Sequence, residues 1–110
     1  MLSEILVHYQ AASNLKYVFS NRITEKLETR HSVTQQEVKQ CFNNSSGVTV
    51  EDTREEHATN PPTEWFIALT DSGRELKVVF IYDEEDEVIY VKTAFKANET
   101  NIARFNKASI

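Results

Sequence analysis

The chain is poor in the residues that break or cross-link a fold. Only Gly47 and Gly73 are glycine and only Pro61 and Pro62 are proline among 110 residues. That poverty argues against a loop-rich or disordered chain. Cys41 is the single cysteine, so no internal disulfide can form, and a reducing compartment fits. No apolar run approaches the roughly 20 residues a membrane helix needs. The opening "MLSEILVHYQ" lacks the basic head and long apolar core of a secretory signal. Positive charge is also short: 12 Lys and Arg stand against 17 Asp and Glu, a net charge of −5. Counterion release makes typical nucleic-acid binders basic, so such a ligand requires a local basic patch here. Phosphate-cradling glycine loops are absent. These absences leave one soluble, cytoplasmic domain spanning 1–110, long enough for one modest core.

What is present is ordered by period. Leu2, Ile5, Leu6 and Tyr9 recur at helical spacing and predict a short amphipathic helix over 3–12. "KYVFS" (16–20) is a candidate short strand. In "NRITEKLETRH" Ile23 and Leu27 share a helical face, with Asn21 as a plausible N-cap. "VTQQEV" (33–38) places Thr34 and Glu37 in capping-box spacing, flanked by Val33 and Val38 at staple spacing. Val38, Cys41 and Phe42 then form a buried stripe. This predicts a helix over about 35–43 that stops at "NNSSG".

From Gly47 the period becomes two. "VTVED" (48–52) alternates, and "EEHATNPP" reads as a loop. "WFIALT" (65–70), "ELKVVFIY" (75–82) and "EVIYVKTAF" (87–95) are rich in β-branched and aromatic residues. The short links "DSG" and "DEED" make these neighbours antiparallel. "NETNIARFN" (98–106) predicts a closing helix capped by Asn98, with Ile102 and Phe105 inward. The expected architecture is α+β, with helices on one face of a sheet of about four antiparallel strands and the other face open to a ligand. Alternation assigns Leu76, Val78, Phe80 and Tyr82 to one side of a central strand and Lys77, Val79 and Ile81 to the other. In the last strand it groups Ile89, Val91, Thr93 and Phe95 against Val88, Tyr90, Lys92 and Ala94.

His8, His31 and His57 have neither metal-ligand spacing nor cysteine partners, so no metal is expected. Cys41 lies on an apolar stripe and reads as a buried, inert thiol. "DEEDE" (83–87) lacks the glycine and spacing of a calcium loop and reads as a solvated turn. The cations are more informative. Arg30 and His31 stand together before the capped helix, and Arg54, Arg74, Lys77, Lys92 and Lys96 lie on or beside the sheet. Such groups either bind a phosphodiester and stabilise charge growing on phosphorus, or are ordinary surface charge. His31 or His57 could move a proton near neutral pH. Trp65, Tyr82, Tyr90 and Phe95 either stack bases or pack the sheet.

"TRHSVTQQEVKQCF", "IALTDSGRELKVVF" and "VKTAFKANE", in that order over about 20–99, resemble the BrnT toxins of bacterial type II toxin–antitoxin systems. Arg30, His31, Ser32 and Val33 match the family's Lys-His-Gly-Val phrase. Gly73, Arg74, Leu76, Val78 and Phe80 match its Gly-Arg turn and following strand. Thr93, Ala94 and Ala97 match its Ser-Ala-Arg-x-Ala phrase, with Phe95 in the arginine slot. Ala68 stands where a glycine is usual, and segment 1–15 is an extra N-terminal helix. The resemblance implies a RelE-like two-layer fold and a metal-independent endoribonuclease without cofactor. It implies catalytic Arg30, His31, Arg74 and Lys96, with Arg54, Lys77, Tyr90 and Lys92 on RNA. It also implies an antitoxin partner. The alternative is a non-catalytic interaction module on the same fold, such as a homodimer. Phe95 is then a core plug, a stacking platform or the mark of a lost activity. A hydrolase of small molecules or ADP-ribosyl groups, a third reading, would want a carboxylate cluster with metal-ligand spacing, and none appears.

Overall fold

The computed structural model describes residues 15–52 and 59–109. The expected helix over 3–12, together with His8, Arg54 and His57, lies outside them. The described chain runs β1 (Lys16–Val18), α1 (Asn21–His31), α2 (Gln35–Asn44), β2 (Val50–Glu51), β3 (Thr63–Leu69), β4 (Glu75–Asp83), β5 (Val88–Lys96) and α3 (Glu99–Ala108). This is the α+β architecture the sequence predicts, with five strands among the described residues, in the order β1-β5-β4-β3-β2. β3, β4 and β5 are antiparallel as their short links require, while β1 lies parallel to β5 and makes the sheet mixed. A three-residue edge strand joined to its partner across most of the chain carries no local pairing signal, so the parallel edge was not legible.

Local chemistry sets the helix ends. Ser20, rather than the expected Asn21, caps α1: its side chain accepts from the Ile23 amide at 3.1 Å, and Asn21 is already helical. Thr34 and Glu37 form the capping box that opens α2, as their spacing predicts. Asn98 caps α3 through the Asn101 amide. Between α1 and α2 the chain turns at Ser32, whose φ of 52° is left-handed. A residue in that conformation ends a helix abruptly.

The main core lies between α2 and one face of the sheet. Phe42 meets Phe66 at 4.9 Å, Phe80 at 5.3 Å and Tyr17 at 5.3 Å between ring centroids. Val38, Cys41, Leu76, Val78 and Ile89 are fully buried beside it, and Leu27 seals it from α1. β4 is central and alternates as expected, with Leu76, Val78, Phe80 and Tyr82 buried and Lys77, Val79 and Ile81 half-buried. The outer face is not fully open. α3 sets Phe105 against Trp65, 6.1 Å between centroids, and covers the β3 end, so both faces of β3 are buried.

β5 departs from strict alternation. Val79 pairs with Thr93, but Phe80 pairs with Val91, so Lys92 is an extra residue opposite the Val79–Phe80 step. This β-bulge reverses the alternation. Ile89, Val91 and Ala94 face the core, whereas Thr93 and Phe95 are half-buried on the outer face. The expected grouping of Ile89, Val91, Thr93 and Phe95 is therefore corrected. Phe95 does not plug the main core, because a single inserted residue moves everything beyond it to the other side.

Candidate nucleic-acid interface

β1 covers β5 only as far as Tyr90, and the chain then runs on as α1 beside the rest of that edge. Ile23 and Leu27 turn inward, Leu27 fully, which leaves the flank of α1 beside this apolar stripe to carry charge. Arg22, Lys26 and Arg30 follow one another at four-residue spacing, which stacks them on one face of a helix. The bulge sends Lys92 outward from β5 towards this row. Arg22, Lys26, Arg30 and Lys92, with Ser20 and Thr29, line a groove of about 600 Å³ in which Glu25 is the one acidic group. A chain of net charge −5 thus gathers four cations along one edge. Among the described residues no carboxylate is ion-paired with them, and four cations against Glu25 leave a local positive field that attracts a polyanion.

The groove leads to a corner built from three elements. His31, the last residue of α1, sets its ring 5.6 Å from that of Phe95 on β5. Burial first, then the charges of Lys26 and Arg30, hold the His31 pKa below the ordinary histidine value, so its imidazole is neutral at pH 7. The Lys77 ammonium lies 5.7 Å from the Phe95 ring and 4.3 Å from the Trp65 ring. Both are within cation–π range. Arg74 reaches the corner from the start of β4. The β3–β4 turn holds its backbone, with Thr70 Oγ1 accepting from the Arg74 amide at 3.0 Å. Its Nη1 donates to the Ser32 carbonyl at 2.9 Å and to Glu37 at 3.0 and 2.8 Å. The Glu37 carboxylate also accepts from the Thr34 amide. Burial pushes the Glu37 pKa up, but the Thr34 and Arg74 bonds outweigh it and hold the carboxyl below its ordinary value.

The expected site residues therefore divide. Arg30 and Lys92 meet in the groove. His31 and Arg74 share the corner, one residue apart through Ser32, yet Arg74 is ion-paired with Glu37. Lys96 is exposed at the end of β5, beside Phe95 and opposite Leu76, and is not among the groove residues. Lys77 lies against aromatic rings, and Tyr90 is 40% exposed on the outer face, next to Val18 and Ile81. Arg54 lies outside the described residues. Arg22 and Lys26 escaped the sequence reading. Their four-residue spacing is visible in the sequence, but nothing local distinguishes a ligand-binding row from the ordinary charged flank of an apolar stripe.

The "DEEDE" turn is exposed at Glu84, Glu85 and Asp86. Among the described residues no three His, Cys, Asp or Glu are grouped so as to hold a metal ion, and no helix is long and apolar enough to cross a membrane. Cys41 is buried, and burial first, then the negative charge of Glu37, pushes its thiol pKa up to about 12. That is the inert thiol its position on the stripe predicts. The sequence matches no protein-family model and no curated protein at a significant level.

Proposed function

We propose that the chain is a BrnT-like domain that holds RNA by its phosphodiester backbone in the groove between α1 and Lys92. One observation carries the reading: Arg22, Lys26, Arg30 and Lys92 converge on one edge of an otherwise acidic protein. Order and spacing of the three family-like phrases support RNA over other polyanions. Arg22 to Arg30 spans about 12 Å at 1.5 Å per residue. A stacked strand covers that length in about three to four steps of roughly 3.4 Å. Ultraviolet cross-linking to single-stranded RNA, mapped by mass spectrometry, tests it. Cross-links are expected in peptides covering 22–31 and 90–96. Their absence there, with cross-links elsewhere or nowhere, overturns the proposal.

A second reading, cleavage of the held strand, is favoured by His31. It is neutral at pH 7 and stands beside Lys26 and Arg30. A neutral imidazole can take the proton of a ribose 2′-hydroxyl as its oxygen attacks phosphorus. The P–O5′ bond breaks, the leaving 5′-oxygen takes a proton from the imidazolium or water, and a 2′,3′-cyclic phosphate remains. Neighbouring cations stabilise the growing charge. Growth after induced expression, with RNA 5′-ends mapped in the same cells, separates the readings. Arrest with new ends that vanish in His31→Ala establishes cleavage. Normal growth with unchanged ends leaves the binding domain.

A further inference from the structure

We propose that Phe95 and His31 form a base-stacking shelf at the end of the groove, which makes single-stranded RNA the ligand. This rests on the RNA reading above and adds what the groove alone does not specify, namely that a base must be unpaired to bind. Both walls of the groove run directly into the shelf. Arg30 and His31 are consecutive on α1, and Lys92 and Phe95 are three residues apart on β5. A strand whose phosphates follow Arg22, Lys26 and Arg30 therefore delivers its next nucleotide to the tilted pair of rings at 5.6 Å.

The bulge makes this possible. Without the extra residue at Lys92, alternation would bury Phe95 in the core and turn Lys92 differently. With it, the cation joins the groove and the ring stays half-buried on the outer face. Bulges commonly re-aim side chains beside functional sites. Lys77 also lies against the ring, 5.7 Å from its centroid, so an imidazole and an ammonium together brace Phe95. A braced ring loses little conformational freedom when a base lands on it. A duplex keeps its base faces stacked on one another and offers none to the shelf, whereas a single strand can splay a base out. Stacking of this kind is sequence-tolerant because every base has a π-face.

Fluorescence anisotropy with a single-stranded RNA oligonucleotide, and with a duplex of the same sequence, tests the shelf. The proteins are wild type, Phe95→Leu, Phe95→Tyr and Lys26→Ala/Arg30→Ala. Wild type is expected to prefer the single strand. Phe95→Leu should weaken that complex by about 5- to 150-fold, the range for one lost base stack, without altering its salt dependence. Phe95→Tyr should restore it. A 2-aminopurine scanned along the strand should be quenched at one position in the wild-type complex, a readout that requires no variant. If Phe95→Leu binds like wild type and no position is quenched, while Lys26→Ala/Arg30→Ala still flattens the salt dependence, the shelf is wrong and RNA binding stands. If wild type binds neither RNA, the RNA reading falls and the shelf with it.

Discussion

Arg74 Nη1 lies 2.8 Å from Glu37 Oε2, so the guanidinium expected to clamp a phosphate already has a carboxylate partner. The same nitrogen holds the Ser32 carbonyl at the end of α1. Glu37 in turn closes the capping box of α2. One ion pair thus fastens the α1–α2 turn to the start of β4. Arg74→Met should destabilise the fold by about 1–2 kcal/mol, since the pair is partly exposed but the same guanidinium also holds the Ser32 carbonyl at the end of α1. RNA affinity should be unchanged. Chemical denaturation and anisotropy on the same variant check both halves.

Acid should weaken the fold in a defined order, at His31 first and at this fastening second. The His31 pKa is lowered in the fold, so its contribution to stability is present above the ordinary histidine value of 6.5 and is lost as pH falls through the folded value. The Glu37 pKa is also lowered, so its contribution is present above 4.5 and is lost at still lower pH. Denaturation midpoints measured from pH 7 downward should fall in two stages. Arg74→Met should shrink the second stage and spare the first.

Cys41 offers a clean test of the core. With its thiol pushed up to about 12 and its side chain buried, it should not react with an aromatic disulfide reagent at pH 8 in the native state. It should react completely once the chain is unfolded in denaturant. Labelling of the native protein at the unfolded rate would contradict the placement of α2.

The two phenylalanines should separate stability from binding. Phe42 is 2% exposed and contacts the rings of Tyr17, Phe66 and Phe80, so Phe42→Ala should cost about 3–5 kcal/mol. Phe95 is half-buried on the outer face. Phe95→Leu keeps an apolar group there and should cost under about 1.5 kcal/mol. Thermal melts of the two variants check the contrast.

Local signals account for what was readable. Thr34 and Glu37 act within one turn, so their spacing alone predicted the start of α2, and the composition of 75–82 gave the central strand. Ser20 displaced Asn21 because both can cap, and only the backbone decides which lies outside the helix. The parallel pairing of β1 is non-local and left no mark on "KYVFS". Lys92 looks like any residue of an alternating strand, and nothing in "VIYVKTAF" announces a bulge there. That one insertion decides the face of Phe95 and the membership of the groove. Of the four groove cations, Arg30 and Lys92 were legible as charge near a family-like phrase. Arg22 and Lys26 were legible only as a helical row flanking Ile23 and Leu27, and only the packing of α1 beside β5 joins that row to Lys92.

The most direct measurement is the salt dependence of RNA affinity, taken for wild type and for Lys26→Ala/Arg30→Ala. Four phosphates engaged by a single strand predict a slope of log K against log salt of about −3, falling to about −1.4 when two cations are removed. A wild-type slope near zero, or one that the double substitution leaves untouched, would contradict the claim that this groove holds the RNA backbone.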